Sequence, residues 1–242
     1  GHDQFGHYIY PRLQRATGPT YAWRCYSIAT GKASSLAMGL TNAQLREHLD
    51  IVAANDAAVA AAIMRCGYPE ERIRPIGYKT LLRTIVGQQV SVAAAASVWN
   101  KLEAELGEDM PAHELLSRDF NTLRACGLSR QKQGYARSLC ELVANEEICL
   151  EDLPADDEEA IAELTRIKGI GRWSAEIYLL FAEGRPDIWP AGDLAVQEAV
   201  GRLLDLPERP SEKQTRALGE QWRPHRGAMA IFTWHTYNNA AL

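Results

Sequence analysis

The 242-residue chain predicts an all-α fold. Three observations carry this. Apolar residues recur at helical spacing in one segment after another, capping residues stand just ahead of those segments, and strand-like alternation is nearly absent. Thr41 starts a first helix through Leu45, Leu49 and Val52. Asp56 caps a second, alanine-rich helix that ends before Gly67, Tyr68 and Pro69. From Leu81 to Leu106, Ile85, Val92, Ala96, Trp99 and Leu102 keep nearly helical spacing, and Gly87 predicts a break near the start. Asp119 precedes a short helix ended by Gly127, and Ser129 caps a longer one through Ala136, Leu139 and Val143. Asp156 or Asp157 opens another, with Ile161, Leu164 and Ile167 on one face. Ser211 and Gln214 have the spacing of a capping box. The last helix carries Met229, Ile231, Phe232 and Trp234. Residues 1–40 have no sustained periodicity and read as an irregular N-terminal arm.

Composition narrows the function. No apolar run reaches the roughly 18 residues of a membrane-spanning helix. Gly1 to Gln4 does not open a secretory signal. The expectation is a cytoplasmic protein, or a nuclear one in a eukaryote, with no membrane partner. Cys25, Cys66, Cys126, Cys140 and Cys149 are odd in number and contain no closely spaced pair. That pattern speaks against a disulfide framework and against an iron–sulfur cluster. The net charge of −5 runs counter to the basic surplus usual in nucleic-acid binders. A local basic footprint is enough, however, and backbone amides can replace lysines. The acids bunch between Glu146 and Glu159, which reads as a solvated loop and helix start.

The most informative stretch runs from Leu164 to Ile177. An apolar helix face ends in Lys168, Gly169, Ile170 and Gly171, and a second helix begins at once. The two glycines permit a tight reversal and bare the backbone amides. Unpaired amides at a helix start form an anion site that suits a DNA phosphate. Lys168 and Arg172 add charge to it, Ile170 pins the two helices together, and Ala175 permits close packing. A plain αα-hairpin with a glycine turn fits the same residues, but the longer pattern is more specific than Gly-x-Gly alone.

This segment resembles the helix-hairpin-helix of the DNA glycosylase superfamily that includes endonuclease III and the 3-methyladenine-DNA glycosylase II branch. Three further stretches share the likeness. Trp189, Pro190, Ala191 and Gly192 resemble the family's loop, which ends in an acid, here Asp193. Ile85 to Ser91 resembles the segment that enters the minor groove. The end of the chain, Trp222 to Trp234, resembles the C-terminal helix of the alkylation-repair branch. Together the matches cover about residues 41–238. The enteric alkylation-repair enzyme carries an added β-rich N-terminal domain, and the arm of residues 1–40 is too short for one.

The resemblance implies a two-lobed, all-α protein with double-stranded DNA crossing a cleft. Segments 41–81 and 190–240 pair as one lobe, and residues 82–189 form a helical bundle holding the hairpin at about 160–182. Asp193 becomes the catalytic carboxylate, although an aspartate at a helix start is also an ordinary N-cap. Base loss leaves positive charge on the sugar, which a carboxylate stabilises while it orients the attacking water. Bifunctional relatives place a lysine nucleophile at the position of Trp173. An indole forms no Schiff base, so the expected reaction is hydrolysis by a monofunctional enzyme in base excision repair. A lyase for oxidised bases and a non-catalytic DNA-gripping module are the alternatives.

Trp173 also becomes a wall for a flipped, cationic base such as an N-alkylated purine. Gln88, Ile177 and Tyr178 line the same pocket in this reading. The branch's second aromatic falls on Ile177 with Tyr178 beside it, and Trp189 is another candidate wall. For each aromatic taken alone, Trp173 excepted, core packing is the more frequent role. Gln89 stands at the wedge position that fills the gap left by the flipped nucleotide. Gln88 and Gln89 also suit a plain helix start. Lys168, Gly169, Gly171 and Arg172 would hold phosphate. His225, beside Arg223 and Arg226, is either a DNA contact or plain surface. The resemblance further implies a monovalent cation, sodium or potassium, on the main-chain carbonyls of Thr165, Ile167 and Gly169. No other cofactor is implied, and the expected state is a monomer.

Overall fold

The structure, a computed structural model, describes residues 39–239; the arm of residues 1–38 and its Cys25 lie outside the described residues. Among the described residues there are twelve α-helices, one π turn, one 3-10 turn and no strand. The anticipated caps form. Thr41 and Gln44 close a capping box on α1 (Asn42–Ala53), and both oxygens of Asp56 are used at α2 (Ala57–Cys66). One takes the amides of Ala58 and Val59, while the other takes Trp222 Nε1 at 3.0 Å. The cap therefore ties the start of α2 to Trp222, 166 residues further along the chain.

The stretch from Leu81 to Leu106 divides at the glycine. α3 (Tyr78–Gly87) stops there, and Ser91 caps a separate α4 (Val92–Leu106). The expected lobe border at 81/82 thus falls inside α3. α5 (Ala112–Ser117), α6 (Phe120–Ala125) and α7 (Arg130–Ala144) follow. α3 packs on α4, α7 and α9, and α5 and α6 pack on α7. A second group gathers α1, α2, α10 (Leu194–Leu203) and α12 (Arg226–Asn238). α11 (Glu212–Leu218) and the 3-10 turn (Gly219–Trp222) join this group.

Between the two groups lies the hairpin, α8 (Asp157–Thr165) and α9 (Arg172–Tyr178), continued by a π turn (Leu179–Glu183). From Ala175 to Ala182 every residue is buried, so this segment is core on all sides. The wider turn leaves the Phe181 carbonyl for a partner outside the helix, and the Arg74 amide donates to it at 2.8 Å. The acidic run is more than a solvated face. Glu158 pairs with Arg172, Asp157 with Arg185, and Glu147 with Arg166.

Candidate active site

The loop into α10 is tightly wound. The Ala191 amide donates to the Trp189 carbonyl, and the Asp193 amide to the Pro190 carbonyl at 2.9 Å. Gln197 reaches back from α10 to the Ala191 carbonyl at 2.8 Å. Asp193 is the N-cap of α10: its Oδ1 accepts from the amides of Ala195 and Val196, at 2.9 and 3.1 Å. Its Oδ2 accepts from Trp173 Nε1 at 2.9 Å. Capping uses one oxygen, and the other lies at the half-exposed mouth beside an indole that is 37% exposed. Leu194, at 63% exposure, adds an apolar rim.

Trp173 stands in the first turn of α9. Gly171 precedes that helix with extended backbone and no side-chain cap, which leaves the first amides of α9 for an external acceptor. Gly169 turns the chain at φ 84, a left-handed value that suits glycine. A Cβ there would strike the ring of Tyr135 on α7, so the turn rests directly on that ring. Ser138, one turn further along α7, accepts from the Lys168 amide at 3.2 Å, and the Lys168 side chain is exposed.

Other expected site residues fall elsewhere. Arg172 is not left for phosphate. Its Nη1 donates to Glu158 at 2.7 Å and its Nε to buried Glu176 at 2.9 Å. Burial pushes the Glu176 carboxyl up to about 7, against the opposing pull of Arg172 and Arg216. Tyr178 is no pocket wall. It is buried, its hydroxyl accepts the Gly77 amide at 2.9 Å, and burial raises its pKa. Ile177 is buried as well, and it belongs to the hydrophobic core. Trp189 is 3% exposed and donates to the Thr215 carbonyl at 2.9 Å, so it is also core. Gln88 spends its amide on the hairpin, donating to the Gly169 carbonyl at 2.8 Å. Gln89 is exposed at a left-handed φ of 55. His225 sets its ring edge against His48, while Arg226 is buried on Asp187 and Glu220.

Ile167 and Gly169, two of the three expected cation ligands, already accept hydrogen bonds through their carbonyls. The donors are Ile170 N at 3.0 Å and Gln88 Nε2. A carbonyl oxygen carries two lone pairs, so each of these oxygens keeps a second acceptor position. Among the described residues, no group of three or more His, Cys, Asp or Glu side chains could hold a metal ion. Two features escaped the sequence reading: the Gln88 bond to the hairpin, and the network joining Glu158, Arg172, Glu176, Arg216 and Glu212. The Gln88 bond has no local spacing that announces it; in the network, Arg172–Glu176 and Glu212–Arg216 have the i,i+4 spacing of helix ion pairs, while the links to Glu158 and between Glu176 and Arg216 are made only by folding.

A glycine-turned hairpin thus leads to a helix-capping aspartate whose outer oxygen is bound by an indole of that hairpin. The family model of the HhH-GPD superfamily base excision DNA repair protein matches residues 82–225, and the chain belongs to this family. DNA-3-methyladenine glycosylase 1 of Schizosaccharomyces pombe is 32% identical over 163 residues, 66% of this chain and 72% of that relative. A solved DNA-3-methyladenine glycosidase from Bacillus halodurans superposes with a TM-score of 0.72 at 28% identity, covering 80% of this chain and 90% of that one. The S. pombe 3-methyladenine DNA glycosylase, solved in complex with abasic DNA, gives 0.66 at 28% identity, covering 81% of this chain and 98% of that one.

Proposed function

We propose that this protein is a monofunctional DNA glycosylase that hydrolyses the N-glycosidic bond of a flipped, N-alkylated purine in duplex DNA. The observation that carries the reading is the 2.9 Å contact between Trp173 Nε1 and Asp193 Oδ2. It puts a carboxylate and an electron-rich ring at one mouth, with an indole where a lyase would need an amine. The names of the relatives point to the same substrate class.

Asp193 stabilises the cationic sugar as the base departs and orients the water that attacks it. Trp173 stacks on the base and favours a cationic one by roughly 0.5–2 kcal/mol. Gln89 enters the stack as the wedge and hydrogen-bonds the orphaned base. The amides at the start of α9, with Lys168, hold a backbone phosphate. A monovalent cation on the carbonyls of Thr165, Ile167 and Gly169 would add positive charge beside that phosphate.

The test is base release from methylated duplex DNA by wild type beside Asp193→Asn, with strand breaks scored before and after alkali. Free methylpurine from wild type alone, with breaks only after alkali, supports the proposal. Breaks before alkali, or a borohydride-trapped adduct, would show a lyase instead. Duplex binding without release of any methylated base would sink the substrate assignment.

A further inference from the structure

We propose that Gln88 is a positioning residue that locks the wedge segment to the DNA-gripping hairpin. The inference rests on the glycosylase reading above. Gln88 ends α3 and leaves it with extended backbone, at φ −60 and ψ 129. The next residue, Gln89, turns left-handed and projects into solvent. A non-glycine residue in that region stores strain and persists only where its surroundings hold it.

The hold comes from two sides. The Gln88 amide donates to the Gly169 carbonyl at 2.8 Å, across 81 positions of sequence. Lys132 on α7 donates through Nζ to the Val86 carbonyl at 2.7 Å, at the last turn of α3. The same helix carries Tyr135 beneath Gly169 and Ser138 on the Lys168 amide. One face of α7 thus supports both the wedge segment and the hairpin, and Gln88 closes the remaining side directly. The wedge and the phosphate grip must act on one duplex at a fixed offset. The Gln88–Gly169 bond sets that offset before DNA arrives.

This assigns Gln88 a role in base extrusion, apart from the chemistry at Asp193. The distinguishing experiment uses two duplexes. In one, the alkylated base is paired; in the other, it stands opposite an abasic site, where there is no pair to break and less need for a wedge. Single-turnover release and melting temperature are measured for wild type, Gln88→Ala and the near-isosteric Gln88→Glu, whose ionised side chain cannot donate.

For both variants the expected result is a loss of about ten-fold on the paired duplex, the scale of one lost hydrogen bond. The loss on the unpaired duplex should be several times smaller. Equal losses on the two duplexes, or no loss on either, would overturn the proposal and leave the bond a structural tie. If wild type releases no alkylated base from either duplex, the alkylated-base reading on which the proposal rests fails, and the proposed role falls with it.

Discussion

The carboxylate of Asp193 is gripped at both oxygens, and the outer one is held by the indole of Trp173 at 2.9 Å. The inner oxygen takes two amides of α10. The acid therefore has a fixed orientation before any substrate enters, as a preorganised electrostatic site requires. Capping takes one oxygen and leaves the other for the proposed chemistry.

This division separates stability from activity. Asn at position 193 keeps an acceptor for the two amides and loses the charge. Asp193→Asn should slow base release roughly a hundred-fold or more, while shifting the melting temperature only a few degrees. Single-turnover kinetics beside a thermal melt measure both. A large fall in melting temperature would mean that the charge itself holds the loop.

Removing the other half of the contact tests its orienting role. Trp173→Phe keeps an aromatic face and deletes the N–H donor. The rate constant for chemistry should drop by about ten-fold, with KM changed far less. A change confined to KM would assign Trp173 to binding alone.

Glu176 supplies a pH signature. Its carboxyl titrates near 7 in the folded protein because burial outweighs its arginine partners. A raised carboxyl pKa means that the native state binds the proton more tightly than the unfolded chain does. Its stabilising contribution is complete below the unfolded value, around 4.5, and is lost as pH rises through about 7. Wild type should therefore lose melting temperature relative to Glu176→Gln between those two values. Parallel curves for the two proteins across this window would refute the assignment.

Gly169 is the tightest point of the hairpin. Alanine there meets the Tyr135 ring and adopts a left-handed backbone at φ 84. Gly169→Ala should destabilise the fold by roughly 2–4 kcal/mol, from strain and overpacking together. Urea unfolding reads this directly. The double variant with Tyr135→Ala should recover the overpacking part; strict additivity of the two changes would argue against the contact.

The proposed cation has a simple test. Duplex affinity measured in potassium chloride and in tetramethylammonium chloride, at matched concentration, should be higher in potassium. The larger ion cannot sit among three carbonyls of a tight turn. Equal affinities would remove the cation from the account.

Much of the fold was legible because helix starts are local. Thr41, Asp56, Asp119, Ser129 and Ser211 cap the helices that their spacing predicts. α5 escaped, since it spans six residues, too few for a period to register, and starts at Pro111 without a side-chain cap. The π turn escaped because an all-apolar run does not reveal its hydrogen-bond step. In the candidate site, the sequence places Trp173 just after Gly171 at the start of α9 and Asp193 at the start of α10, whereas the bond between them is made only by folding. Tyr178 was misread, because a tyrosine and its buried partners at Gly77 and Leu150 are joined only by folding. Arg172 is occupied by Glu158, fourteen residues before and brought in by folding, and by Glu176, four residues after, an i,i+4 pair that the sequence does offer.

The arginine pairing has a reach beyond stability. Arg166, Arg172, Arg185, Arg216, Arg223 and Arg226 are all engaged with acids of their own chain. These six cations are partnered within the chain and are less available to displace counterions from a duplex, so affinity should vary less steeply with salt than the number of its arginines suggests. The hold on undamaged DNA would then rest on short-range contacts made and broken quickly. Such a hold would favour frequent sampling of sites over long residence at any one of them.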